Sequence, residues 1–250
     1  MNNIPDSNNN DEHIKRRKIW SEKPHIRLVY SRWVEMMKPY LPEEPILEVG
    51  SGSGLLKDLM PEVVLSDTVE LPWIDRIVNC LDMPFNDEEM GGIIAFDLLH
   101  HLSEPHTFLS EAARVLRPGG RILLIEPYIT PFSYLGYKLF HHEAINFKSY
   151  DTGLSKGFLK EQHWHGNIAL ANLVFKKDIN DWSDKQPHLE IIQKRLMSFF
   201  DFQLAAGFKP YAYIPYKIFK KIVFVDDWLK WLMPLIGFRI FVVIEKKKKS

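Results

Sequence analysis

With a single cysteine, Cys80, the chain can close no internal disulfide and can supply no cysteine-based zinc site, and a reducing, cytoplasmic compartment is expected. Neither charge is in excess. The 32 Lys and Arg residues balance 32 Asp and Glu residues, which removes the overall electrostatic pull that nucleic-acid binding uses, and no nucleic-acid partner is expected. No run reaches the roughly 18 to 20 uncharged apolar residues that cross a bilayer. The opening stretch, MNNIPDSNNNDEHIKRRKIW, holds no apolar signal-peptide core, so neither secretion nor membrane spanning is expected. Internal repeats are also missing. What is there is ordinary globular material: 250 residues, 46 % apolar and 26 % charged, enough for one large α/β domain with an insertion and short for two domains.

Residues 1–12 are polar and rich in asparagine, with too little apolar surface to offset the entropy of ordering, and read as a flexible leader. Over 13–44, apolar residues including Ile19, Trp20, Val29, Trp33 and Met37 recur at helical spacing, interrupted at Pro24 and Pro39, which predicts two helices. Residues 45–127 then alternate short apolar runs with turns and helices. Strands are expected at Ile46–Val49, Val63–Leu65, Asp75–Asn79, Gly92–Phe96 and Ile122–Ile125, with helices from Leu55 and over Pro105–Leu116. That rhythm argues for a parallel sheet with helices on both faces. It breaks over 128–187, a stretch rich in aromatics, histidine and glycine, which reads as an inserted lid. Residues 188–250 complete the core: Leu189–Leu196 fits strand or helix, Tyr211–Met233 is an aromatic helical stretch, and FRIFVVI (238–244) is a last strand.

The segment ILEVGSGSG joins the first strand to three alternate glycines. Gly50, Gly52 and Gly54 let the backbone turn sharply and let a ligand lie directly against peptide groups, because no Cβ intervenes. The spacing is neither the dinucleotide G-x-G-x-x-G nor a P-loop, which would need a following Gly-Lys-Ser/Thr; any α/β protein can also use such a turn structurally. In an open sheet, an acid ending the second strand can accept both hydroxyls of a ribose. Asp67 stands there, with Glu70 as the alternative if the strand runs further.

From Ile46 to Glu126 the chain resembles class I methyltransferases of the methyltransferase type 11 kind. The likeness rests on motifs in order: ILEVGSGSG, the acid after strand two, NCLDMPF, LLHHL, and EAARVLRPGGRILLIEP. It implies S-adenosyl-L-methionine as cofactor and a Rossmann-like, seven-stranded, mostly parallel sheet with helices on both faces and a helical lid inserted before the last two strands. By the same likeness Glu48, Gly50, Ser51, Gly52 and Gly54 surround the cofactor's amino-acid part and Asp67 holds its ribose. Asn79 and Cys80 begin the adenine segment, while Ala95, Phe96 and Asp97 end strand four near the sulfonium. Two positions depart from the pattern. Asn79 replaces the usual aspartate, although its amide oxygen still offers the adenine amino group an acceptor, and Gly92 replaces the aspartate that usually opens strand four.

Methyl transfer from a sulfonium is a displacement on an activated carbon, so alignment and desolvation do most of the work and a base serves mainly a hydroxyl acceptor. Asp97, His141, His142 and Glu143 are the candidates for that base, with His100 and His101 beside them; His101 matches a family position where packing or capping is the other reading. His163 and His165 flank Trp164 without a third ligand, and no metal site is expected. The segment PYITPFSYLGYKLFHHE and the late aromatic helix resemble bacterial methyltransferases found with polysaccharide or lipopolysaccharide synthesis, which implies a small-molecule or lipid-linked glycan acceptor. Tyr211–Lys230, aromatic and basic, fits either a membrane surface or ordinary core packing. A catalytically inactive cofactor-binding protein and a nucleotide-dependent oxidoreductase share this fold class, which alone does not separate them.

Overall fold

The computed structural model describes residues 7–141, 143–150 and 166–248; His142, His163 and His165 lie outside the described residues. Two helices open the chain, α1 (Ser7–Glu22) and α2 (Pro24–Met37), and Pro24 starts the second where its missing N–H is no loss. Next come β1 (Ile46–Val49), β2 (Val64–Asp67), β3 (Arg76–Ile77) and β4 (Met90–Phe96), then α3 (Pro105–Val115) and β5 (Leu116–Pro127). The described part of residues 128–187 holds α4 (Pro131–Phe140), α5 (Leu170–Asn172) and α6 (Trp182–Lys185). The chain ends with β6 (Leu189–Met197), α7 (Asp201–Leu204), α8 (Tyr216–Ile222), α9 (Val225–Trp228), α10 (Met233–Ile236) and β7 (Arg239–Lys246).

The strands form one seven-stranded sheet in the order β3-β2-β1-β4-β5-β7-β6. Pairs from β3 through β5 are parallel; β7 slots antiparallel between β5 and β6. Side chains alternate between two cores, as the two-residue period of a strand requires. Leu47, Val49, Ile93, Ala95, Ile122 and Leu124 face a core with Phe108 and Leu109 of α3. Ile46, Ile94, Phe96, Leu123, Ile125 and Phe241 face the other, with Val29, Trp33 and Met37 of α2. Burial on both faces is why the central strands read as continuous apolar runs. The order reverses between β1 and β4, and their carboxyl ends open the crevice where an α/β sheet binds ligands.

Several expectations are corrected. Residues 7–12, read as leader, belong to α1, whose later residues are tied to the glycine loop: Arg17 donates to the Ser53 carbonyl at 2.9 Å and His13 Nδ1 lies 3.1 Å from Ser53 Oγ. The helix from Leu55 is one 3-10 turn, Leu55–Asp58. Leu189–Met197, for which the sequence leaves strand and helix open, is a strand, paired along its length with β7. The aromatic stretch 211–233 breaks into α8 and α9 rather than one helix. Gly92 departs from the family pattern because the loop before β1 crosses it: a Cβ there would stand 2.4 Å from Pro42 Cγ, and one on Gly91 would stand 1.7 Å from the Glu43 carbonyl oxygen.

Candidate functional site

At the end of β1 the backbone enters a left-handed turn, with φ of +68° at Gly50 and +63° at Gly54, conformations that L side chains adopt only with strain. Two serines lock the turn to β2. The Ser51 amide donates to the Ser66 carbonyl at 2.9 Å, the Ser66 amide donates to Ser51 Oγ at 3.0 Å, and Ser66 Oγ donates to the Glu48 carbonyl at 2.7 Å. Asp67, last in β2, accepts the Gly52 amide at 2.8 Å and the Val69 amide at 3.1 Å, which aims its carboxylate beside the glycine turn. Glu48 is buried and its Oε2 has no hydrogen-bond partner. Burial, with the nearby Asp67 charge adding, pushes the Glu48 carboxyl up to about 8.

A second cluster forms where β4, β5 and β7 meet. Because β7 runs antiparallel, its first residue, Arg239, arrives at the same sheet edge as the last residues of β4 and β5. Arg239 donates through Nη1 and Nη2 to both oxygens of Asp97, at 2.5 and 3.1 Å, and its guanidinium lies over the rings of Phe202 and Trp33. Asp97 itself has φ +51°, so this residue turns the chain sharply off β4. Burial acts to raise its carboxyl, but the Arg239 charge and hydrogen bonds outweigh it and hold Asp97 below the usual carboxylate range. A carboxylate with both oxygens engaged and a depressed pKa is a poor base.

Glu126, at the end of β5 and fully buried, accepts the Leu98 and Leu99 amides at 2.8 and 2.7 Å and lies 2.8 Å from His100 Nδ1. Burial pushes Glu126 up to about 8 and brings His100 down to about 4, so the imidazole is neutral at pH 7. Its Nε2 stands 3.7 Å from Glu143 Oε2, a carboxyl that burial also raises to about 8. His141 Nδ1 accepts the Glu143 amide at 3.3 Å.

One cavity of about 1010 Å³ joins these groups. Glu48, Gly50, Ser51, Gly52, Asp67, Asn79, Cys80, Phe96, Asp97, His141 and Glu143 all line it. Two expected residues do not. Ala95 packs into the core on the α3 side, because its neighbours Phe96 and Ile94 take the opposite face. Gly54 sits under Trp73, where a Cβ would meet Cδ1 at 2.5 Å, so its place is structural. Glu70 is exposed and off the cavity, and Asn79 Oδ1 accepts the Leu81 amide at 3.0 Å. The sequence reading missed Arg239 and the apolar wall of Phe132, Leu135, Phe199 and Phe238, and Glu126 as the buried group behind His100. Arg239 had one signal, being the lone charge in FRIFVVI.

The cavity's donor set suits a compact zwitterion joined to a nucleoside: an orphan buried carboxylate for an ammonium, bare backbone at Gly50 and Gly52, and an acid at the end of β2. A family model described as a methyltransferase domain matches residues 47–124. The chain carries a methyltransferase domain of the S-adenosylmethionine-dependent kind. The methyltransferase is 26 % identical over 181 residues to an uncharacterised protein of Methanocaldococcus jannaschii, an alignment covering 67 % of this chain and 85 % of that one. Against a Mycolicibacterium smegmatis protein named "Probable S-adenosylmethionine-dependent methyltransferase" it is 31 % identical over 102 residues, 35 % of this chain and 40 % of the relative. Its fold is similar to that of a SAM-dependent methyltransferase from Archaeoglobus fulgidus, with a TM-score of 0.53 at 14 % identity over 88 % of this chain and 94 % of that one. Among the described residues no helix is long and apolar enough to cross a membrane.

Proposed function

We propose that the methyltransferase methylates a hydroxyl on an acceptor with an apolar or lipid-linked body, a lipid-linked glycan of cell-surface polysaccharide synthesis fitting best. The supporting observation is the continuity of the cavity. Its polar end lies at Gly50, Asp67 and Asn79, and its other end is walled by Phe132, Leu135, Phe199 and Phe238. At about 1010 Å³ it is at the top of the range for a single small ligand, about 300–1,000 Å³, which leaves room for cofactor and acceptor together. When bound, S-adenosylmethionine supplies a methyl group activated by a sulfonium, so transfer to a hydroxyl leaves S-adenosylhomocysteine, a methyl ether and one proton.

In this reading Glu48 binds the cofactor's ammonium and Asp67 its ribose, while Asn79 and Cys80 border the adenine. Phe96 and the apolar wall exclude water from the transfer line. The acceptor hydroxyl is oriented at the His100 and Glu143 end, and Asp97 with Arg239 holds that corner in shape. The mouth supports a membrane contact. Leu139 and Phe140 (85 % exposed) stand at the cavity, and α4, which carries them, packs against α10, shortly after exposed Trp228 (83 %) and Trp231 (73 %) and the exposed Lys217, Lys220, Lys221 and Lys230 in sequence. Exposed aromatics with basic residues nearby in sequence are the composition of an interfacial surface.

The test is methyl transfer from labelled cofactor into a cell-envelope extract, partitioned between organic and aqueous phases, with flotation on anionic and neutral vesicles alongside. Label in the organic phase, and anionic flotation lost in a Trp228→Ala/Trp231→Ala variant, is expected. Label confined to water-soluble products with no flotation would replace the lipid-linked acceptor by a free small molecule.

A further inference from the structure

We propose that His100, His101 and Glu143 bind one divalent first-row transition cation, of the zinc class, at the acceptor end of the cavity. The chemical use of the ion rests on the reading above; its binding does not. The three side chains place one ligand atom each within 4.8 Å of one another. Between His100 Nε2 and Glu143 Oε2 the gap is 3.7 Å, too long for a hydrogen bond. It is close to the ~3.4 Å that two ligands of a tetrahedral ion subtend at bond lengths of about 2.0–2.1 Å.

Glu143 is the observation that points to a ligand. Its side chain is 7 % exposed, and Oε2, facing the imidazole, has no hydrogen-bond partner. An acceptor oxygen set against a ring nitrogen at that distance is stabilised by a cation between them. His100 is prepared for the role from behind. Glu126, its Oε1 filled by the Leu98 and Leu99 amides, places Oε2 2.8 Å from Nδ1, which leaves Nε2 to face Glu143. A carboxylate on the far nitrogen is the usual support of a metal-bound histidine. The His101 ring lies 4.0 Å from that of His100, and the Gly166–Asn167 backbone closes over both, with the Asn167 amide donating to the His100 carbonyl at 2.8 Å. Asp97 is excluded as a ligand because Arg239 engages both its oxygens.

Two imidazoles and one carboxylate select zinc or a neighbouring transition ion over magnesium, which prefers an octahedron of oxygens. Three protein ligands leave a position open to the cavity. A hydroxyl bound there is acidified by the ion. Its O–H bond breaks with the proton passing to cavity water, the oxygen forms the new bond to the methyl carbon as the carbon–sulfur bond breaks, and the ion keeps its charge throughout.

The test uses the full chain after chelator treatment, titrated with Zn2+ against a chromophoric chelator, with Co2+ as a spectroscopic probe and Mg2+ for comparison. We expect one Zn2+ per chain and visible Co2+ bands of low coordination number. Uptake should weaken at least about tenfold in Glu143→Gln and His100→Ala, and about 10- to 100-fold in Glu126→Gln. His188→Ala, at an exposed site, should match the parent. Circular dichroism and S-adenosylhomocysteine affinity are measured on every variant; if His100→Ala misfolds, Glu143→Gln decides. No stoichiometric uptake, or equal uptake by parent and Glu143→Gln, overturns the proposal. S-adenosylhomocysteine binding without zinc uptake would overturn the metal site and leave the methyl-donor reading standing, and zinc uptake without S-adenosylhomocysteine binding would do the reverse.

Discussion

Arg239→Met should cost about 3 kcal/mol, because it strands a carboxylate against a buried wall. Arg239 is 6 % exposed and Asp97 31 %. Removing one partner of a buried pair typically costs about 3–5 kcal/mol, and the partial exposure of Asp97 to the cavity places this pair at the low end. For a chain of this size, about 2–4 °C per kcal/mol converts the loss to roughly 6–12 °C in Tm. Asp97→Asn should be of similar size, since it leaves the guanidinium charged over Phe202 with a weakened partner. The double variant should be no worse than either single one, giving a coupling of about 2–3 kcal/mol in a denaturant cycle. The pH dependence has a definite sign. Asp97 is depressed below its ordinary 3.8, so the stability it contributes is present above about pH 4 and fades as pH falls below that. The gap between parent and Arg239→Met should therefore be full at pH 7 and narrow on acidification below pH 4. Additivity of the two single variants within about 0.5 kcal/mol, or a pH-independent gap, would refute the reasoning.

Asp67→Ala should weaken S-adenosylhomocysteine binding by about 2–4 kcal/mol, roughly 30- to 1,000-fold by calorimetry, since two hydroxyls lose a charged acceptor. Glu48, raised to about 8 by burial, is protonated at pH 7 and must ionise to hold an ammonium, so binding should release about one proton. That release appears as a dependence of the observed heat on buffer ionisation enthalpy, and Glu48→Gln should abolish it. Arg114 donates to the Phe85 and Met83 carbonyls at 2.9 and 3.0 Å, and its partner Glu111 accepts the Met83 amide at 2.7 Å. Arg114→Ala should loosen the segment after Asn79 and lower cofactor affinity about fivefold while leaving Tm within a few degrees, a separation thermal unfolding and calorimetry would read together.

What the sequence reveals depends on how far apart the contacting residues lie. The glycine turn and Asp67 are legible because strand, turn and acid follow one another within 22 residues, 46–67, and each carries a local conformational requirement. The central strands β1, β4, β5 and β7 are legible because burial on both faces leaves apolar runs, whereas β3 is exposed and β6 half-buried, so β6 fits strand or helix until its pairing with β7 is seen. The Asp97–Arg239 pair spans 142 positions and depends on β7 entering antiparallel, which no periodicity encodes. His100 and Glu126 stand 26 positions apart, and Glu143 joins them only because the chain folds back after α4. The early end of α1 misled for the opposite reason: residues 7–12 have weak helical pattern of their own, and the helix they begin is held by Ser53 rather than by propensity.

This division of distance is also a division of labour. The half of the cavity formed by residues 46–97 comes from strand ends whose positions the sheet fixes, so a change there alters packing and cofactor affinity together. The other half comes from α4, the segment at Glu143, and the Phe199–Phe202 and Phe238 aromatics, all after β5, with Arg239 over the Phe202 ring and the Phe238 carbonyl accepting the Tyr128 amide. Tyr137 hydroxyl donation to the Phe238 carbonyl at 2.6 Å and α4's own Thr130–Ser133 capping box hold that wall without using any residue of the cofactor half. The apolar wall can therefore change shape while the donor half stays intact. On the proposed function, acceptor identity would be set by residues 128–238, and the Asp97–Arg239–Glu126 corner would keep the two halves in register for methyl transfer between them.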